Sequence, residues 1–194
     1  MKIDDTVALI VVDVQNDFCP GGALPAAEGD AVVPVLNKYI RLFTSAGAPI
    51  YFTRDWHPPD HISFKERGGE WPPHCVQGSH GAEFHRDLLI PEGAEVKSTA
   101  VAKDKDAYSG FEDTDLAPRL REAGVRTVLV GGLATEYCVK ETVLDALSEG
   151  FETFLLTDAS RGIEVEPGDI RRAVDEMKSR GALELTLEEL EAQD

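Results

Sequence analysis

Basic residues are scarce in this chain: 19 lysines and arginines face 36 aspartates and glutamates over 194 residues, giving a formal net charge of −17. That balance argues against nucleic acid, whose phosphates select for clustered Lys and Arg, and against docking on an anionic membrane surface. Cysteine is scarce as well. Cys19, Cys75 and Cys138 are odd in number and match neither a disulfide framework nor a CxxC metal site, so a reducing cytoplasm is the expected compartment. Long apolar runs are missing: the first, Val7 to Val12, stops at Asp13 and is too short for a membrane span or a signal-peptide core. With no basic leader in MKIDDTV, a soluble, unexported protein is expected. There is no internal repeat, low-complexity stretch or linker. A hydrophobic content of 42% over this length suits one domain, 1–194.

What is present alternates between two periods. β-branched and apolar runs at Val7 to Val12, Ile50 to Thr53, Thr127 to Val130 and Thr153 to Thr157 read as strands, with weaker candidates at Glu95 to Lys97 and Ala182 to Leu185. Between them, apolar residues recur at helical spacing over Asp30 to Ser45, Asp115 to Ala123, Tyr137 to Ser148 and Pro167 to Ser179. Such alternation predicts an α/β fold, a three-layer α/β/α sandwich on a mainly parallel central sheet. Ligands of such sheets bind at the carboxyl ends of the strands. Asp13, Asp55, Lys97 and Cys138 all fall at or just after such an end.

Cys138 lies in GGLATEYCVKETVLDAL, where the run TVLV gives way to Gly131 and Gly132, read as a sharp turn, and then to a helix. In the first turn of a helix, unpaired N–H groups and the dipole favour a thiolate and can hold an oxyanion. The other reading is a small buried residue, and position alone leaves both open. Asp13, after an apolar strand, is either a carboxylate able to exchange a proton with Cys138 or a turn aspartate. Lys97 is either an electrostatic partner of that pair or a solvated strand lysine.

The segment Arg54 to Arg86 has neither period and carries both tryptophans and all five histidines. A loop this long in a compact domain is usually functional. Asp55, His57, His61 and His74 within it form a ligand set suited to Zn²⁺, Mn²⁺ or Fe²⁺, whereas His80 and His85 show that histidine is frequent there regardless. Phe18, Trp71 and Tyr108 could together sandwich a flat heteroaromatic ring, although each alone could be core.

Taken in order, VDVQNDFCPGG, TRDWHPPDHISF, WPPHCVQG, DAYSGFE and GLATEYCV resemble the nicotinamidase/pyrazinamidase branch of the isochorismatase-like cysteine hydrolases, from about Val7 to Gly181. The resemblance implies a catalytic triad of Asp13, Lys97 and Cys138. It implies an oxyanion hole from the backbone N–H groups of Ala134 and Cys138, with a cis peptide between Leu133 and Ala134. It further implies a divalent metal, zinc before iron or manganese, on Asp55, His57 and His74, with His61 as a fourth ligand directly or through water. The implied substrate pocket is Phe18, Leu24, Trp71 and Tyr108, and the implied substrate is nicotinamide, with a homo-oligomer compatible. Ser98 and Tyr137 stand where relatives often carry glycine and histidine. The rival readings are a ureidoacrylate or carbamoyl-compound hydrolase on the same fold, and a zinc hydrolase whose metal-bound water attacks.

The charge excess also fits a salt-rich cytoplasm, where screening suppresses self-repulsion. On that reading the melting temperature rises between ~0.1 M and molar KCl, where the Debye length shrinks to about 3 Å. A flat or falling thermal-denaturation series returns the acidity to ordinary surface solvation.

Overall fold

The central strand of the fold is the most apolar run of the chain. β1 (Val7–Val12, VALIVV) is buried at every residue, as a parallel strand covered on both faces must be. In the computed structural model, which describes residues 1–192, it is flanked by β2 (Ile50–Asp55) and β4 (Thr127–Leu133). β3 (Glu95–Thr99), β5 (Glu152–Arg161) and β6 (Leu183–Leu185) complete a six-stranded sheet of order β3-β2-β1-β4-β5-β6. Every pairing is parallel, so the expected mainly parallel sheet is wholly so.

Alternation along β1 sorts the helices into two layers. Val7, Leu9 and Val11 join one apolar cluster with α1 (Val32–Ala46) and α5 (Leu187–Glu191). Ala8, Ile10 and Val12 join the other, with α2 (Leu116–Glu122), α3 (Lys140–Ser148) and α4 (Asp169–Ser179). α1 buries Val32, Leu36, Tyr39, Ile40 and Phe43, one stripe of an amphipathic helix. It ends at Gly47, whose left-handed φ of 66° lets its N–H reach back to Phe43 and Thr44. α5, which the sequence does not announce, is held at its start by a capping box between Thr186 and Glu189. No helix among the described residues is long and apolar enough to cross a membrane.

The strand order reverses between β1 and β4: β2 and β3 build outward on one side, β5 and β6 on the other. A reversal of this kind leaves a crevice beyond the carboxyl ends of the two middle strands. Asp13 and Cys138 flank that crevice.

Four sequence expectations differ from the fold. Gly131 and Gly132 are not a turn but the last part of β4, paired with Val11 and Val12 of β1. Their lack of side chains serves close approach: a Cβ on Gly132 would lie 2.0 Å from the Val12 carbonyl oxygen, and its φ is 136°. Beside them β5 runs longer than its apolar core suggests, because its register with β4 slips between Val130 and Gly132, a bulge that bends the strand. Lys97, read as a strand end, is the middle residue of β3 and pairs with Thr53. The Cys138 segment, read as the start of an α-helix, is a π-helical turn over Thr135–Val139, with α3 beginning only at Lys140.

Because Gly132 combines a positive φ with backbone contact, Gly132→Ala should destabilise the fold by about 3 kcal/mol or more, in the severe tail of single substitutions. Urea denaturation measures this, and a loss under about 1 kcal/mol would mean that the β1–β4 junction tolerates a side chain.

Candidate active site

Asp13 follows β1 with a left-handed φ of 47°, a conformation that a non-glycine residue holds only where its surroundings impose it. Its N–H donates to the Thr53 carbonyl at 3.2 Å, and its own carbonyl accepts the Gln15 N–H at 2.8 Å. So placed, the carboxylate is 1% exposed. It accepts a hydrogen bond from the Thr53 hydroxyl at 2.5 Å and faces the Cys138 thiol. One oxygen from Asp13, one from Asp55 and the Cys138 sulfur lie within 4.8 Å of one another.

Burial, then the negative charge of Asp55, push the Asp13 carboxyl well above the usual carboxylate range, against the hydrogen bonds from Thr53 and Cys138. Burial and the same two carboxylates push the Cys138 thiol well up too. Burial thus works against the thiolate expected from a helix terminus. Desolvation outweighs the helix end, and Asp13 is the acceptor within reach when the thiol gives up its proton. In the turn itself the Val139 N–H reaches the Ala134 carbonyl at 3.2 Å, the five-residue step of a π-turn. The Leu133–Ala134 peptide is cis, and Ala134 and Cys138 both line the pocket described below.

Lys97 is not brought to this pair. Its ammonium donates to Glu95 at 2.8 Å and to Asp115 at 2.7 Å, and Arg119 closes the cluster on Glu95. The physical reason is charge: two carboxylates on the β3–α2 side compete successfully for the one cation.

The loop ligands do converge. Asp55, His57 and His74, all buried, each place one donor atom within 4.8 Å of the others. The tautomers suit a metal. His57 Nδ1–H donates to the His74 carbonyl and His74 Nδ1–H to the Pro72 carbonyl, both at 2.9 Å, leaving the two Nε2 lone pairs facing Asp55 Oδ2 at 3.9 and 3.7 Å. Backbone acceptors on the far nitrogen are the usual outer support of a metal-bound imidazole. Burial lowers the His57 pKa below the ordinary imidazole range, favouring the neutral ring that a metal takes. Asp55 is fixed by Gln15, whose amide oxygen accepts the Asp55 N–H at 2.9 Å and whose amide nitrogen donates to the Asp55 carbonyl at 2.8 Å.

His61 is a different case from the other two imidazoles. Its Nε2–H donates to the Lys105 carbonyl at 3.0 Å, and its Nδ1 accepts from the Ser63 hydroxyl at 2.7 Å. As placed, both ring nitrogens are hydrogen-bonded, and one donor atom of His61 also lies within 4.8 Å of donors from His57 and Asp106. His61 stacks behind His57, ring centroids 4.4 Å apart. That contact packs the two rings against each other.

A pocket lies over these groups, lined by Phe18, Leu24, Trp71 and Tyr108 together with Asp55, His57, His74 and Cys138. Trp71 Nε1–H donates to the Tyr108 hydroxyl at 2.9 Å, Phe18 meets the His74 ring edge-on at 5.6 Å, and Tyr137 packs on both Trp71 and Tyr108. Ser63, Asp106 and Ile163 also line it; Ser63 and Asp106 fall within the TRDWHPPDHISF and DAYSGFE motifs, whereas Ile163 lies outside them all. Thr53 was likewise missed, although its place two residues before Asp55 on a strand next to β1 is a usable signal.

The sequence model of the isochorismatase domain matches residues 7–189. The chain belongs to the isochorismatase family. Within that family it is 40% identical to the nicotinamidase of Escherichia coli strain K12, the alignment covering 95% of this chain and 96% of the relative. It is 39% identical to the nicotinamidase/pyrazinamidase of Mycobacterium tuberculosis, over 82% and 88% of the two chains. Among solved structures, the pyrazinamidase of Pyrococcus horikoshii in complex with zinc superposes with a TM-score of 0.90 at 57% identity, covering 94% of this chain and 99% of that one. PnC1 from L. infantum in complex with nicotinate superposes with a TM-score of 0.89 at 36% identity, covering 96% of each. An isochorismatase-family chain with these relatives is an amide-bond hydrolase.

If Asp13 takes the thiol proton, Asp13→Asn should slow alkylation of Cys138 by iodoacetamide at least tenfold and lower kcat by about 10³, within the usual range for a lost general base. Metal content by elemental analysis should be unchanged. Undiminished alkylation would assign the proton to another acceptor.

Proposed function

We propose that this protein is a nicotinamidase, hydrolysing nicotinamide to nicotinate and ammonia and accepting pyrazinamide in the same way. The observation that carries the reading is the meeting, in one aromatic-walled pocket, of a buried Cys138–Asp13 pair with the Asp55–His57–His74 cluster. Neither a simple thiol enzyme nor a simple metal hydrolase needs both.

On binding, the planar ring sits between Phe18 and the Trp71–Tyr108 pair with Leu24 at its edge. Asp55, His57 and His74 would hold a divalent metal, zinc by the borderline softness of two imidazoles and a carboxylate and by the zinc complex of the P. horikoshii relative. When bound, that ion supplies a coordination position for a ring nitrogen. Asp13 takes the thiol proton, and Cys138 sulfur bonds to the carboxamide carbon as the carbonyl electrons move to oxygen. The backbone N–H groups of Ala134 and Cys138 receive that oxyanion. Collapse of the adduct expels ammonia with the proton held by Asp13 and leaves a thioester. Asp13 then removes a proton from water, which attacks the thioester to release nicotinate and restore the thiol.

The deciding experiment is Cys138→Ala. Turnover of nicotinamide should vanish while metal content and melting temperature persist, and retained activity would hand the reaction to metal-bound water instead. Substrate choice gives a second prediction. Benzamide matches nicotinamide in shape but lacks the ring nitrogen, so its kcat/KM should be at least ~100-fold lower, whereas pyrazinamide should remain a substrate. Equal kcat/KM values for benzamide and nicotinamide would remove the metal from substrate recognition.

A further inference from the structure

The turn that carries Cys138 and the loop that follows β5 are joined through one side chain. Glu136, two residues before Cys138, is 7% exposed. Its Oε1 accepts the N–H groups of Ile163 at 2.8 Å and Glu164 at 2.6 Å. Its Oε2 is buried with no hydrogen-bond partner among the described residues, a disposition that works against stability. The neighbouring backbone is shaped around it. A Cβ on Gly162 would stand 2.4 Å from Oε2 and 2.4 Å from Ile170 Cγ1, so glycine is what lets both the carboxylate and α4 approach. Glu164 takes a left-handed φ of 55°, which turns its N–H onto the same oxygen as that of Ile163.

The far side of this clamp is the pocket. Ile163 lines it, and the Gly162 carbonyl accepts the Ala27 N–H at 3.1 Å, which ties in the segment bearing Leu24, another wall residue. A rigid path therefore runs from the nucleophile's turn through Glu136 to two walls of the pocket. Nothing in the chemistry proposed above uses Glu136, yet a burial this unfavourable sits two residues from the reacting sulfur.

We infer that Glu136 is a positioning residue that fixes the Ile163–Leu24 side of the pocket relative to the Cys138 sulfur, and so sets how the ring of the substrate is seated. The inference rests on the reading of this pocket as the amide-hydrolysing site. Loss of the clamp should loosen the seating more than the chemistry, because the sulfur, Asp13 and the oxyanion donors are held by other contacts.

The test compares Glu136→Ala, Glu136→Gln and Gly162→Ala, the last pressing on the same clamp from the backbone side should the first fail to fold. In Glu136→Ala and Gly162→Ala, KM for nicotinamide should rise about tenfold with kcat within about threefold. Glu136→Gln, which keeps an acceptor oxygen, should stay near wild type. Amide hydrogen exchange reads the clamp without turnover: Ile163 and Glu164 should exchange faster in Glu136→Ala and Gly162→Ala while β1 and β4 keep their protection. Unchanged KM in both disrupting variants, with or without a lower melting temperature, overturns the inference, as does unchanged exchange at Ile163 and Glu164. A wild-type chain inert toward nicotinamide would instead overturn the functional reading, and the exchange experiment would still decide whether the clamp exists.

Discussion

Two carboxylates, Asp13 and Asp55, lie side by side out of water, and no lysine or arginine touches either among the described residues. Buried charges of one sign raise each other's energy and are tolerated only with compensation. Most of the site's construction answers that constraint. For Asp13 the compensation comes from hydroxyl and thiol donors and from an upward pKa shift that lets it carry a proton. For Asp55 it comes from the Thr99 hydroxyl at 3.2 Å and two imidazoles, an arrangement that a divalent cation would complete. One carboxylate is thus prepared to move protons and the other to hold a positive charge, although both descend from adjacent strands of one sheet.

Much of this was legible before folding, and the reasons differ by residue. β1 is bounded identically in sequence and structure because a buried central strand is one apolar run ended by a charge. Asp55, His57 and His74 were legible because polar ligands concentrated in an aperiodic loop have few structural uses. The end of β4 was hidden, since glycines that permit strand approach look the same as glycines that make a turn. The partner of Lys97 was hidden for another reason: Glu95 and Asp115 are separated from each other along the chain, and only the folded geometry decides which carboxylates capture one ammonium. Glu136 reads in sequence as an ordinary solvated acid at a helix start. Its burial depends on Gly162, 26 positions on, meeting it across the end of the sheet.

The cysteine shows how a local rule gives way to a global one. Helix-terminal position argues for an acidic thiol, but the π-turn delays α3 and the pocket buries the sulfur completely enough that desolvation dominates. Burial that opposes the thiolate also makes the sulfur less open to adventitious oxidation, since the thiolate is the form that peroxides attack.

The Arg54–Arg86 segment has little regular structure, yet it is pinned at intervals by isolated bridges between His57 and Val76 and between Phe64 and Trp71. His57 stands near its start and His74 well past its middle, so an ion seated on both would act as a cross-link closing the loop between them. Cross-links of that kind gain by mass action: each tenfold excess of free ion over its dissociation constant deepens the well of the closed segment by about 1.4 kcal/mol. The availability of trace metal in the surroundings would then govern how often this stretch opens, and with it the rate at which a protease could cut the chain there.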